Sequence, residues 1–192
     1  MPRWVVFDAY LYYDKPNVIQ AAGGGWFSIW QAMTYHYGWL QNDYGQWDKI
    51  FEPGYVTGAS LMVRRKTIEE VGMMKESFFL YCEELEWQLR VKQRGWRIYY
   101  CPKSIIWHKE SASVGVESPL REYYKTRNAI WIVRCFWFRA ILPSVFFHLL
   151  RFGRRFIQGK WGNALAILRG IKDGVLGRWD SCDSSKKLVC TV

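Results

Sequence analysis

YVTGASLMVRRKTIEEVGMMKESFFLYCEELEWQLRVKQRGWRIYYCPKSIIWHKESAS, residues 55–113, decides how this chain is read. Val56–Arg64, entered through Thr57-Gly58, is apolar enough to predict a buried strand, and Lys66–Val71 predicts a short helix closed by Gly72. Glu84–Arg94 predicts an amphipathic helix. Leu85 and Leu89 lie four residues apart, Glu86 precedes Arg90 at the same spacing, and Gly95 is a C-terminal stop. Trp96–Cys101 predicts a strand ended by Pro102, and Ser104–Trp107 another. The class is α/β, a mixed sheet with flanking helices.

At the head of that helix stand Glu83 and Glu84, directly after the aromatic run Phe78-Phe79-Leu80-Tyr81. Paired carboxylates beside an aromatic wall suit a base that takes a proton from a hydroxyl, because a like charge and partial burial raise one pKa. The plainer reading is electrostatic: acids in a helix's first turn interact well with its dipole and need do nothing else. His108 is either a metal ligand or a hydrogen-bonded structural group. Trp96 and Trp107 either stack on a sugar or fill the strand core.

Upstream, Trp4–Tyr13 predicts a strand and Asp14-Lys15-Pro16-Asn17 a turn. Ala21–Gly25 (AAGGG) predicts a bend or a close backbone approach; it lacks the spacing and context of a dinucleotide fingerprint. Residues 26–54, aromatic and polar without a sustained period, predict a long structured loop. With 192 residues, half of them hydrophobic, the chain is long enough for one domain with a sizeable core. The opening Met1–Asp14 has no basic segment followed by an apolar run, so no secretory signal is read there. Five cysteines without a Cys-x-x-Cys pair argue against a disulfide framework or zinc site and for a reducing compartment.

Charge is concentrated in one segment. Between Arg121 and Arg178 twelve Lys and Arg face two acids, Glu122 and Asp173, which equals the +10 of the whole chain. Ala129–Leu150 is apolar and aromatic but interrupted by Arg134, Arg139, Pro143 and His148, too broken for a spanning helix. Arg151, Arg154 and Arg155, read as one helix face beside Phe152 and Phe156, suit the interface of an anionic membrane. No nucleic-acid motif is present, and so high an apolar content favours lipid over nucleic acid. The bland alternative is a helical cap with its arginines outward.

Taken in order, these segments resemble the family 2 glycosyltransferases of the GT-A fold, in particular their bacterial rhamnosyltransferase-like branch. The match runs through Tyr12-Tyr13-Asp14, Ala22-Gly23-Gly24 and Gly45-Gln46, then Thr57-Gly58-Ala59 and Met62-Val63-Arg64-Arg65. It continues through Val71-Gly72, Phe78–Glu84, Leu89-Arg90, Gly95-Trp96, Pro102, His108 with Ser111 and Ser113, and Tyr123-Tyr124 with Arg127-Asn128. It covers about residues 10 to 131 and, more loosely, 168–178.

The resemblance implies an inverting, metal-assisted transfer of a sugar from a nucleotide-sugar donor to a glycan or lipid-linked acceptor. It implies Glu84 as general base and Glu83 as the group that orients the site or the acceptor. Thr57, Gly58, Ala59, Trp107 and Arg127 would contact substrate, and His108 would ligate a divalent metal, Mg or Mn, on the donor's pyrophosphate. The family has Asp at the second acid, so Glu84 carries a longer arm, and Lys75 stands where Asp is usual. No Asp-x-Asp, the family's donor-side metal motif, occurs in the chain. Residues 1–118 are therefore expected to form the acceptor-side half of a GT-A domain, 119–180 basic aromatic helices, and 181–192 a tail. The expected place is the cytoplasm, peripheral on the inner face of the cell membrane. The competing expectation is a non-catalytic acceptor- or membrane-binding module that lacks the donor site.

Overall fold

The computed structural model describes residues 4–109 and 117–178, with side chains from residue 11 onward. It is a mixed α/β structure that clusters into two compact units, neither contiguous in sequence. The first takes residues up to 27, 34–74 and 84–112; the second takes 28–33, 75–83 and the helices that follow. Ser111, Ser113 and the tail after Arg178 lie outside the described residues.

In the first unit β1 (Trp4–Tyr12) is the central strand. The aromatic and β-branched sequence WVVFDAYLY suits a pleated surface. Along one edge β1 pairs in parallel with β7 (Arg97–His108), from Trp4↔Arg97 to Tyr12↔His108. The other edge is shared. β6 (Leu61–Met62) takes Val6 and Phe7, and β2 (Lys15–Ala21) takes Tyr10 to Tyr12, both antiparallel. A second sheet orders β4 (Met33–His36), β3 (Gly24–Ser28) and β5 (Tyr55–Val56). α1 (Arg65–Val71), capped by Gly72 as expected, and α2 (Glu83–Gln93) complete the unit.

Four sequence expectations are corrected here. The turn is confined to Tyr13-Asp14, and Lys15-Pro16-Asn17 opens β2; Pro16 stands at the strand's start, where a missing N–H does no harm. The stretch from 26 onward is not all loop, since it contributes the end of β3 and the whole of β4. Val56–Arg64 is not one strand. Val56 is fully buried and Met62 is 74% exposed, because the two ends belong to different sheets.

Gln88 on α2 lies along the edge of β5. Its Oε1 accepts from the Val56 N–H and its Nε2 donates to the Val56 carbonyl, both at 2.8 Å, so a side-chain amide stands where a neighbouring strand would. Lastly, Trp96–Cys101 and Ser104–Trp107 form the single strand β7. Between Phe7↔Tyr100 and Ala9↔Ile105 the register slips, and Pro102 sits inside that bulge, where it removes no ladder hydrogen bond.

The AAGGG segment is a close approach, as expected. Gly23 and Gly24 have φ of +74° and +148°, and a Cβ on Gly25 would collide with the Tyr35 carbonyl of β4. The core lies in apolar patches under the sheets. One gathers Leu11, Ile19, Ala22 and Tyr100; another gathers Trp87, Val91 and Trp96 between α2 and α1.

The second unit is helical: α3 (Pro119–Phe136), α4 (Ile141–Ile157) and α5 (Trp161–Leu176). Ser118 caps α3 by accepting from the Arg121 N–H, with Pro119 in the first turn where its missing N–H is tolerated. Gly170 and Gly174 let α5 touch the backbone of α3; a Cβ on Gly174 would stand 2.6 Å from the Arg127 carbonyl. Between α3 and α4, Glu122 takes Arg151 at 2.5 Å and Arg155 at 2.7 Å. The expected common outward face of Arg151, Arg154 and Arg155 is therefore wrong. Two of the three turn inward to a buried carboxylate, and only Arg154 is exposed. Among the described residues no helix is long and apolar enough to cross a membrane.

Candidate functional site

Lys75–Glu83, in the second unit, concentrates backbone strain. A single 3-10 turn (Glu76–Phe78) is followed by Phe79, Tyr81 and Cys82 with φ of +58°, +66° and +67°. Left-handed backbone at three non-glycine residues costs of order 1 kcal/mol or more each, so something must hold it. The holder is α3. Asn128 Nδ2 donates to the carbonyls of Phe78, Leu80 and Tyr81 at 2.9, 2.9 and 2.7 Å. Arg127 Nη2 donates to the carbonyls of Ser77 and Phe78 at 3.1 Å each, and its Nε to Asn128 Oδ1 at 2.9 Å.

Aromatic contacts anchor the same segment. Phe78 is fully buried against Trp131 with ring centroids 4.4 Å apart, Phe79 meets Tyr124, and Lys125 lies over the Tyr81 ring. Arg127 is thus not a substrate contact on an open face. It is 2% exposed, its guanidinium faces Tyr124, and its donors are used on loop carbonyls. The side chain is a clamp.

The clamped segment ends at Glu83, the first residue of α2. Burial pushes the Glu83 carboxyl above its ordinary value, only partly opposed by its own backbone N–H. Its Oε2 is buried without a hydrogen-bond partner. That is an acid tuned by desolvation. Glu84, in the first unit, packs on the Thr57-Gly58 turn: a Cβ on Gly58 would lie 3.2 Å from the Glu84 Cβ. The structure therefore brings Glu84 against Gly58, while Gly58 and Ala59 are open to solvent.

The other expected site residues lie elsewhere. Trp107 is exposed at the end of β7, its Nε1 donating to the Pro16 carbonyl at 3.4 Å. Trp96 is core, buried and bonded through Nε1 to Glu70 Oε2 at 2.9 Å. His108 pairs its Nδ1 with Gln20 Oε1 at 2.8 Å across the sheet. Among the described residues no three His, Cys, Asp or Glu side chains converge as a metal centre requires.

Sequence reading missed Asn128 as the keystone of the loop. The available signal was a polar pair, Arg127-Asn128, inside the buried run Thr126–Val133. It missed Gln88 as well, for which one glutamine in an ordinary helix leaves no mark.

No family model matches the chain. Over 62 residues it is 32% identical to an N-acetylglucosaminyl-diphospho-decaprenol L-rhamnosyltransferase of Mycobacterium tuberculosis, covering 32% of this chain and 20% of that protein. Over 92 residues it is 28% identical to the dTDP-rhamnosyl transferase RfbF of Shigella flexneri, covering 44% of this chain and 31% of that protein. The chain thus spans well under two thirds of these curated relatives. The partial homology points to a glycosyltransferase-like protein.

Proposed function

We propose that this chain is the acceptor-side part of an inverting family 2 glycosyltransferase of GT-A type. It moves a deoxyhexose such as rhamnose from a nucleotide-sugar donor to a glycan or lipid-linked acceptor of the cell envelope. One observation carries the reading: two successive carboxylates open α2, and the second, Glu84, packs against Gly58 in a turn whose Gly58 and Ala59 are open to solvent. The names of the partial homologues favour rhamnose as the sugar.

In this reading Glu84 takes the proton from the acceptor hydroxyl as that oxygen attacks the anomeric carbon. Direct displacement of the nucleoside diphosphate then inverts the configuration. Thr57, Gly58 and Ala59 support the acceptor under Glu84. Glu83, its proton affinity raised by burial, is the acid that orients the acceptor. Arg127 and Asn128 act through the loop and fix where Glu83 stands. The family's divalent metal would serve the departing diphosphate, but this chain's described residues supply no ligand set for it. The cytoplasmic side of the membrane suits such an acceptor.

The decisive experiment is a transfer assay with dTDP-rhamnose and a polyprenyl-diphospho-sugar acceptor, run on a longer form that includes the donor-binding part and comparing that parent with its Glu84→Gln variant. Turnover lower by a factor of about 10²–10⁴ at unchanged donor affinity is the expected result. Turnover within a few-fold of the parent removes Glu84 from the mechanism. A second reading, a non-catalytic acceptor-binding module, is favoured by the lack of an Asp-x-Asp. It predicts saturable acceptor binding with no transfer.

A further inference from the structure

α4 is an amphipathic helix mounted inside out. Its inward face carries Ser144 and His148, both buried, with Arg151 and Arg155 turned to Glu122. Its outward face carries Leu142 (81% exposed), Phe146 (62%), Leu149, Leu150, Phe156 and Ile157 (87%). At 100° per residue these six fall within an arc of about 120°, a continuous apolar stripe. A solubilising helix would have the reverse arrangement, because its polar side faces water.

Charge says what covers the stripe. Among the described residues from 117 onward the acids are Glu117, Glu122 and Asp173, and each is occupied. Glu117 meets Lys160, Glu122 meets two arginines, and Asp173 accepts from the Tyr123 hydroxyl at 2.9 Å. Exposed cations remain: Arg139 just before the helix, Arg154 at the margin of the stripe, and Arg169, Lys172 and Arg178 on or just after α5. The α5 face that bears Arg169 and Lys172 also shows Trp161, Leu165 and Leu176. An apolar stripe bordered by cations with no free acid matches a headgroup layer over hydrocarbon. A phosphate backbone without lipid would leave the leucines and Ile157 in water.

We infer that the outward face of α4, with the basic rim of α5, is the surface by which this protein lies on a membrane containing anionic lipid. The helix rests in the interface and does not span it, since no described helix is long and apolar enough to cross. The arginines that hold the fold, Arg151 and Arg155, are not the ones that meet headgroups; Arg154 and Arg169 are. This inference stands apart from the catalytic reading, because vesicle binding involves neither sugar donor nor acceptor. Either can fail alone.

The experiment is co-sedimentation of the full chain with phosphatidylglycerol-containing vesicles and with pure phosphatidylcholine vesicles, at low and high salt. Two variants at exposed positions accompany the parent: Phe146→Glu/Leu150→Glu in the stripe and Arg154→Glu/Arg169→Glu in the rim. The parent should bind anionic vesicles at least about tenfold better than neutral ones and keep part of that binding at high salt. The stripe variant should lose about tenfold or more at every salt concentration. The rim variant should lose about as much at low salt and little at high salt. Melting curves verify that each variant is folded. Should one fail to fold, the parent's dependence on lipid charge and salt decides alone. No vesicle binding by the parent overturns the inference. So does a stripe variant that binds like the parent. A dimer that the stripe variant dissociates, with no vesicle binding, gives the face to a second copy. Binding of nucleic acid in preference to vesicles, unaffected by the stripe variant, gives it to a phosphate backbone.

Discussion

Glu83 and His148 are two residues whose protonation burial controls, and they respond to pH in opposite senses. Glu83 is raised above its ordinary 4.5 by burial, so the folded chain binds this proton more tightly than the unfolded chain. Its contribution to stability is present below about pH 4.5 and lost as pH rises through the folded value. Glu83→Gln should therefore raise the melting temperature at pH 7, with the gain shrinking in acid; an unchanged melting temperature at pH 7 would show an unburdened carboxylate. His148 is pushed down to about 3, first by burial and then by the Arg151 guanidinium, whose Nη1 donates to Nδ1 at 2.7 Å. An arginine donor requires a neutral acceptor, so the ring is held deprotonated. Its contribution is present above about pH 6.5 and lost as pH falls toward 3, with a slope of up to about 1.4 kcal/mol per pH unit. Titration of the three histidines by NMR checks this: one should stay neutral until the chain unfolds.

At the scale of elements, two side-chain amides do the work of backbone. Gln88 pairs with both polar groups of Val56 as a neighbouring strand would, and Asn128 gathers three carbonyls of the loop before α2. Gln88→Leu leaves a buried N–H and a buried carbonyl without partners and should cost about 2–4 kcal/mol in denaturant unfolding. Asn128→Leu should cost a similar amount. It should also speed amide exchange at residues 79–84 beyond what global unfolding explains, with turnover falling while acceptor affinity changes little; exchange accelerated evenly over the chain would make Asn128 an ordinary core residue. These amides also mark the limit of sequence reading. Helices with a stop glycine, such as α1 and α2, were legible because Gly72 and Gly95 act locally. The split of Val56–Arg64 was not, because its two ends pair with strands of different sheets, which apolar composition does not show. Nor was the continuity of β7 through Pro102, since only the partner strand reveals a bulge. For the candidate site, the acid pair and the Thr57-Gly58 turn were legible from motif order. The inward turn of Arg127, Arg151 and Arg155 was not, since residue type alone places arginine outside.

For the molecule as a whole, the chain carries an acid pair and a supported turn but no described metal cluster and no Asp-x-Asp. We expect calorimetry of this chain with UDP-, GDP- and dTDP-sugars plus Mn²⁺ to show no saturable binding below millimolar. A micromolar dissociation constant would require a nucleotide site within these residues. The clamp on Lys75–Glu83 has one more consequence, in the order of synthesis. Its carbonyl partners on Arg127 and Asn128 come 47 to 50 residues later in the chain. At ribosomal rates of roughly 5–20 residues per second, the aromatic loop waits some seconds in the open before α3 can capture it. The left-handed turn ahead of the acid pair is thus among the last features to form, and a nascent chain arrested before Asn128 would carry both glutamates without the geometry that gives them meaning.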